Sequence, residues 1–174
     1  MSKPDLVTMQ RALEDSPEDA HLLYQLGQHH EAADEFEAAA SCYLRALALS
    51  TADQPYRHDL VIRAIYTLKR AGRHEEGIGL ADSEMDNWST SPDYYFALGD
   101  LLLDWATRNP GSVDELIPMV EASWKKCLEI GERPELAGAV AGRGSYLAAY
   151  NLSVMYGGLG DTAQADYYRA LSGR

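Results

Sequence analysis

The stretch Leu23-Tyr24-Gln25-Leu26-Gly27-Gln28-His29-His30, followed by Ala39-Ala40-Ser41-Cys42-Tyr43-Leu44-Arg45-Ala46, decides the fold. Leu23, Leu26 and His30 fall at i, i+3 and i+7, one face of an α-helix, and Gly27 lies on the same stripe. A small residue there lets a partner helix come close, whereas a larger side chain would push the pair apart. Ala39 follows Leu26 by thirteen residues. The same interval separates Ala64-Ile65 from Gly77, and Leu152-Ser153 from Ala165. Recurrence of this kind is the mark of stacked helix pairs, an architecture that offers binding surface more readily than a catalytic pocket.

Working outward, Ser16-Pro17-Glu18-Asp19 reads as N-cap, first-turn proline and acidic first turn, predicting a helix from Pro17 to Ala33 and its partner from Phe36 to Leu49. The second unit has Val61, Ala64 and Leu68 on its stripe, breaks at Ala71-Gly72-Arg73 and resumes from His74 to Met85. The third opens with Ser91 as cap and Pro92 first in the helix. It carries an insertion at Thr107 to Ser112, and Ser112-x-x-Glu115 restarts a helix that Pro118 should bend or restart again. The fourth runs from Tyr150 through a Gly157-Gly158-Leu159-Gly160 break to about Leu171. The resulting division is one domain over 1–174: a capping helix at 4–16, units at 17–50, 55–88 and 91–130, a short helix and glycine-rich corner at 131–145, and a last unit at 146–172. Unit starts at Ala20, His58, Pro92 and Tyr146 are 38, 34 and 54 residues apart.

The pattern Leu23-x-x-Leu26-Gly27-x-x-His30 with Ala39-x-x-x-Tyr43-x-x-Ala46 resembles the tetratricopeptide family, with His30 where that family usually has an aromatic. The resemblance implies an all-α, right-handed α-solenoid of about eight or nine helices in antiparallel pairs. A weaker likeness joins Cys127-Leu128-Glu129-Ile130-Gly131-Glu132 and Gly142 to Leu152 to repeat tracts that accompany some bacterial glycosyltransferases. It implies either a stand-alone helper or the front end of a longer protein.

Composition fits an all-helical chain that buries roughly 70% of its unfolded surface. The 27 acidic and 15 basic residues give a net charge of -12, a surface that repels nucleic acid and anionic lipid. Neither is expected as a partner. Met1-Ser2-Lys3-Pro4-Asp5 carries no apolar run of signal-peptide length, and no stretch reaches the roughly 18 apolar residues of a membrane span. Cys42 and Cys127 lack CxxC pairing, so neither disulfide nor zinc is expected, and a cytoplasmic setting follows. Charge is unevenly placed: Gln54 to His74 holds Arg57, Arg63, Lys69, Arg70 and Arg73 against Asp59 alone. This basic island either pairs with adjacent acidic helices or contacts an anion in a groove.

Catalytic and metal motifs are wanting. His30 and Asp34 share a helix face, but a zinc site needs three or four converging ligands, and HExxH is absent. Gly138-Ala139-Val140-Ala141-Gly142-Arg143-Gly144-Ser145 has three residues between its first two glycines, Arg in place of Lys and no strand before it, so it reads as a corner and not a phosphate loop. No nucleophile, base and acid set assembles, and neither enzyme chemistry nor a cofactor is expected.

The resemblance implies that the first helix of each unit lines a concave groove. Carried over by residue, this selects Tyr24, Gln28, Arg63, Tyr66, Lys69, Phe96, Asp100, Tyr150 and Asn151 as the partner-binding set, with His21, Glu31, Ile62, Leu103 and Val154 beside them. Aromatics next to polar groups suit recognition of a peptide or protein. A segment with an acid beside an apolar anchor would set the acid against Arg63 and Lys69 and the anchor on Tyr66. The clamp of chaperone-tail binders is matched only by Arg63; Tyr24, Gln28, Asp93 and Ala97 occupy its other places. The function expected is thus a non-catalytic protein-interaction module, able to form homo-oligomers, with a docking piece of a glycosyltransferase system as the alternative.

Overall fold

The computed structural model describes residues 6–173, so Pro4 and Asp5 of the expected capping helix lie outside the described residues. Among those described, nine α-helices and one 3-10 turn form, and no strand. The chain divides at Leu80 and Ala81, within one helix, into two compact units.

In the first unit α1 (Leu6–Asp15), α2 (Ala20–Ala32), α3 (Phe36–Leu49) and α4 (Arg57–Arg70) pack in sequence order, each against the next. Leu23, Ala39, Tyr43 and Ala46 are wholly shielded, as are Leu60, Val61, Ala64, Ile65 and Leu68 of α4. Met9 of α1 seats against Leu26 and Cys42, so α1 covers the apolar edge of the first helix pair. Gly27 is where the quoted stretch placed it. A Cβ built there would lie 2.4 Å from Cε1 of Tyr43, so the Tyr43 ring fills the space that the missing side chain leaves.

α5 (His74–Glu84) spans the division. In the second unit α6 (Pro92–Arg108) packs on α7 (Val113–Ile130), α7 on α8 (Tyr146–Gly158) and α8 on α9 (Thr162–Ser172), with the 3-10 turn Pro110–Ser112 between α6 and α7. Trp124, Tyr94, Leu101, Leu102, Val120 and Leu152 form its core. Gly99 repeats the role of Gly27, since a Cβ there would lie 2.4 Å from Nε1 of Trp124.

The turns show the repeat as clearly as the packing does. Seven residues after Gly27, Ile65 and Ser153 stand Asp34, Gly72 and Gly160, with φ of 59°, 75° and 79°. In each case the next residue's N–H returns to a carbonyl of the preceding helix: Glu35 to His30, Arg73 to Leu68 and Asp161 to Tyr156. Asp34 holds a left-handed position that the other two turns give to glycine.

Three local expectations are corrected. The first long helix begins at Ala20, capped by Asp19, whose carboxylate accepts from the Leu22 N–H at 2.9 Å. Ser16 instead closes α1 through its N–H to Ala12 O, and Ser16 to Asp19 make the intervening turn. The helix does not restart at Pro118: α7 continues through it, because an exposed proline near the helix start removes one solvent-facing bond. The short helix expected within 131–145 does not form either. That segment is a run of turns with Gly138 and Gly142 at positive φ, held by Asp93 of α6 and by Glu132. The cap at Ser91, accepting from Tyr94 N at 3.0 Å with Pro92 first in the helix, is as expected.

Candidate functional site

In the first unit, five of the selected residues fall into two groups. Tyr24 is buried and stacks on Tyr56 with ring centres 5.0 Å apart, and its hydroxyl donates to Asp59. The Gln28 amide donates to that hydroxyl at 2.8 Å. Arg63 donates through Nε to Asp59 at 2.7 Å and through Nη1 to both Glu31 oxygens at 2.9 and 3.0 Å, while the Tyr43 hydroxyl donates to Glu31 at 2.6 Å. Gln28, Tyr24, Asp59, Arg63, Glu31 and Tyr43 thus form one chain of hydrogen bonds joining α2, α3 and α4. Burial first, and the carboxylates it faces second, push the hydroxyls of Tyr24 and Tyr43 above the ordinary tyrosine range, so both remain donors. The two carboxylates hold the Arg63 charge against the desolvation that opposes it.

The second group is a cation and aromatic cluster. Arg70 lies 4.0 Å from the Phe36 ring centre and donates to the Tyr66 hydroxyl at 2.7 Å, and the Lys69 ammonium lies 5.4 Å from the Tyr66 ring centre. Arg73 bonds Glu76 and reaches Glu37 at 3.1 Å. Much of the basic island is therefore bonded within its own unit, the first of the two readings offered by its charge pattern.

This arrangement changes what a substitution at Arg63 does. Removing its guanidinium leaves Asp59 and Glu31, 12% and 18% exposed at their side chains, facing one another with no cation between them. Arg63→Ala is expected to lower stability by about 2 kcal/mol, below the 3–5 kcal/mol typical of a fully buried pair because Arg63 is partly solvated. A urea midpoint equal to that of the native chain would show the network to be energetically idle. Reversal to Glu adds a third carboxylate to the same place, so Arg63 and Lys69 cannot be reversed together without a cost to the fold.

In the second unit the corner after α7 is anchored at Asp93, 1% exposed. Its Oδ1 accepts from Arg143 Nη1 at 2.9 Å and from the Val140 N–H at 3.0 Å, and the Arg143 guanidinium lies 5.3 Å from the Phe96 ring centre. Glu132 accepts from the Gly142 N–H and the Ser145 hydroxyl, and a Cβ at Gly144 would lie 2.3 Å from the Gly131 backbone. Phe96 is thus a packing surface for Arg143. Cys127 donates to the Pro92 carbonyl at 3.2 Å, and burial, aided by Asp93, pushes its thiol well up, so it is not a poised nucleophile. Burial raises Cys42 as well. No group of three metal-ligating side chains occurs among the described residues.

Asp100, Tyr150 and Asn151 meet. With Leu103 and Val154 they line a cleft of about 430 Å³ between α6 and α8. The Asn151 amide donates to Asp100 at 3.4 Å. Ile117 and Trp124 of α7, and Met155, Gly158 and Leu159 from the end of α8, complete the lining. These five were not among the residues selected from sequence. Trp124 and Ile117 stand seven apart on what reads as a core stripe, while a Cβ at Gly158 would meet nothing within 4 Å, which leaves that side of the lining open. The available signal was in α8, whose thirteen residues include no charged side chain.

The fold is all-helical and tetratricopeptide-like. Among solved structures the chain is similar to the crystal structure of MamA, with 15% sequence identity, a TM-score of 0.72, and coverage of 96% of this chain and 84% of that one. No family model matches the sequence, and no curated protein matches it. The likeness to glycosyltransferase-associated tracts gains no support from these comparisons. No helix among the described residues is long and apolar enough to cross a membrane.

Proposed function

We propose that this protein is a non-catalytic interaction module that holds a peptide or protein partner on the first-helix faces of its units. The reading is supported most by the α6–α8 cleft. Its lining is largely apolar, and Val154, Leu159 and Tyr150 beside it are 57%, 54% and 41% exposed. Contiguous apolar surface rimmed by polar groups marks a binding site in a folded protein. The tetratricopeptide-like fold is consistent with this use, and the aromatic and cation cluster of α3 and α4 is a second candidate surface in the other unit.

Val154→Glu tests the reading. The side chain is exposed, so the helical circular dichroism spectrum should be unchanged, while a charge in the apolar cleft should weaken partner binding at least roughly tenfold, about 1.4 kcal/mol. Ala122→Glu, exposed on α7 outside the cleft lining, is the control. A partner captured by the native chain and held equally by both variants would place binding elsewhere.

A further inference from the structure

α9 carries two apolar faces, and its own unit covers only one of them. Ala165, Tyr168 and Ser172 are buried where α9 packs on α8. Ala163, Tyr167, Ala170 and Leu171 fall at i, i+4, i+7 and i+8, the spacing of a core-facing stripe about 100° wide. Yet all four are exposed, Tyr167 at 60% and Leu171 at 53%. The Tyr167 ring rests edge-on against Tyr168, with ring centres 4.9 Å apart, so it is partly ordered before any partner arrives. None of these residues belongs to the lining of the α6–α8 cleft.

Charge then decides the occupant. At a net charge of -12, two copies of this chain repel one another over most of their surface. The last helix pair is the exception, because α8 has no charged side chain and α9 has one acid, Asp166, and one base, Arg169, with no net charge between them. These two are paired three residues apart on the helix. When two copies of α9 meet antiparallel about a two-fold axis level with Tyr167 and Tyr168, Asp166 of each comes level with Arg169 of the other, and the contact is made twice. Ala163 and Ala170 are short enough to let the two helices approach closely. A strongly acidic or strongly basic partner finds no unbalanced charge on α9 to pair with. The face is complementary to itself.

We infer that the outer face of α9 is a self-association surface, on which a second copy of this chain packs its own α9 antiparallel and leaves the α6–α8 cleft open. An eleven-residue helix is about 16 Å long, so the contact falls below the roughly 800 Å² per partner of a standard interface. The dimer is therefore weak, with a dissociation constant between about 10 μM and 1 mM.

Sedimentation equilibrium of the native chain across that range should show a reversible monomer and dimer. Tyr167→Lys and Leu171→Lys should each weaken the dimer at least tenfold, and since both side chains are exposed, the helical circular dichroism spectrum should not change. Asp166→Arg should weaken it at least threefold, and the exchange Asp166→Arg with Arg169→Asp should restore it, because opposite charges again come level across the axis. Val154→Glu, in the cleft, should leave it as it was. A native chain that is monomeric at 1 mM overturns the inference, and if a captured partner is then lost in Tyr167→Lys, the occupant is a different protein. A dimer that withstands both lysine variants, or that Asp166→Arg leaves unchanged or strengthens, overturns it too. A dimer that Val154→Glu separates places self-association on the cleft and does the same. Loss of partner binding in Val154→Glu is read separately, so the interaction-module reading stands or falls on its own.

Discussion

Replacing Asp93 by alanine is expected to lower the unfolding free energy by about 3–5 kcal/mol, the range for a buried ion pair that loses one member. The carboxylate is 1% exposed at the first turn of α6, where the helix dipole favours an anion, and one oxygen accepts from both the Arg143 guanidinium and the Val140 N–H. Alanine strands the Arg143 charge and leaves an N–H without its acceptor. Asparagine keeps an acceptor of the same shape and loses only the charge, so Asp93→Asn should cost less than Asp93→Ala. Chemical denaturation of the three proteins measures the order, with m unchanged if the denatured state is unaffected. Equal midpoints for Asp93→Ala and the native chain would mean that the corner after α7 holds without its anchor.

Gly27→Leu is the second large effect. An ideal Cβ at this position lies 2.4 and 2.5 Å from two carbons of the Tyr43 ring, which is wholly buried and whose hydroxyl is fixed on Glu31. The ring cannot move aside without breaking that bond, and the pair α2 and α3 must separate or the ring must leave its rotamer. Loss of about 3 kcal/mol is expected, at the upper end of overpacking penalties. Gly27→Ala is the finer probe. Alanine gains about 1 kcal/mol of helix propensity, so a net loss in that variant reports the contact alone. A thermal midpoint unchanged in Gly27→Leu would place Gly27 off the interface.

Both substitutions bear on what could be read in advance. The recurring Leu-Gly and small-residue pairs specified helix pairing, because a helix face repeats every 3.6 residues and a glycine on that face can serve only close approach. Gly99 against Trp124 is the same device in the other unit. The span Phe36–Leu49 was legible from its periodicity, and the Ser91-Pro92 start from its capping chemistry. Local preference read Ser16 as the cap of the first long helix, yet Asp19 caps it, because Ser16 is taken up by the turn that closes α1.

The candidate site was legible only in part. Asp100, Tyr150 and Asn151 share the cleft, as their helix register suggests, yet Phe96 lies under Arg143, and Tyr24 is buried against Tyr56 and Asp59. Register names the face a residue occupies but not what a neighbouring helix or loop places over it. Arg63 illustrates the point: its sequence neighbours are basic, and its partner Glu31 comes from a helix thirty-two residues away.

By itself, then, the sequence determined the helical class, the pairing of helices around Gly27 and its equivalents, the excess of negative charge, and the absence of a charged residue from α8. Those properties follow from periodicity and composition, which are local or additive. Only the tertiary structure decided that Asp93 holds the glycine-rich corner, that Arg63 is neutralised within its unit, and that Ile117 and Trp124 wall a cleft beside α8. Each of these depends on which side chains distant in the chain meet and exclude water from one another, and no local pattern encodes that.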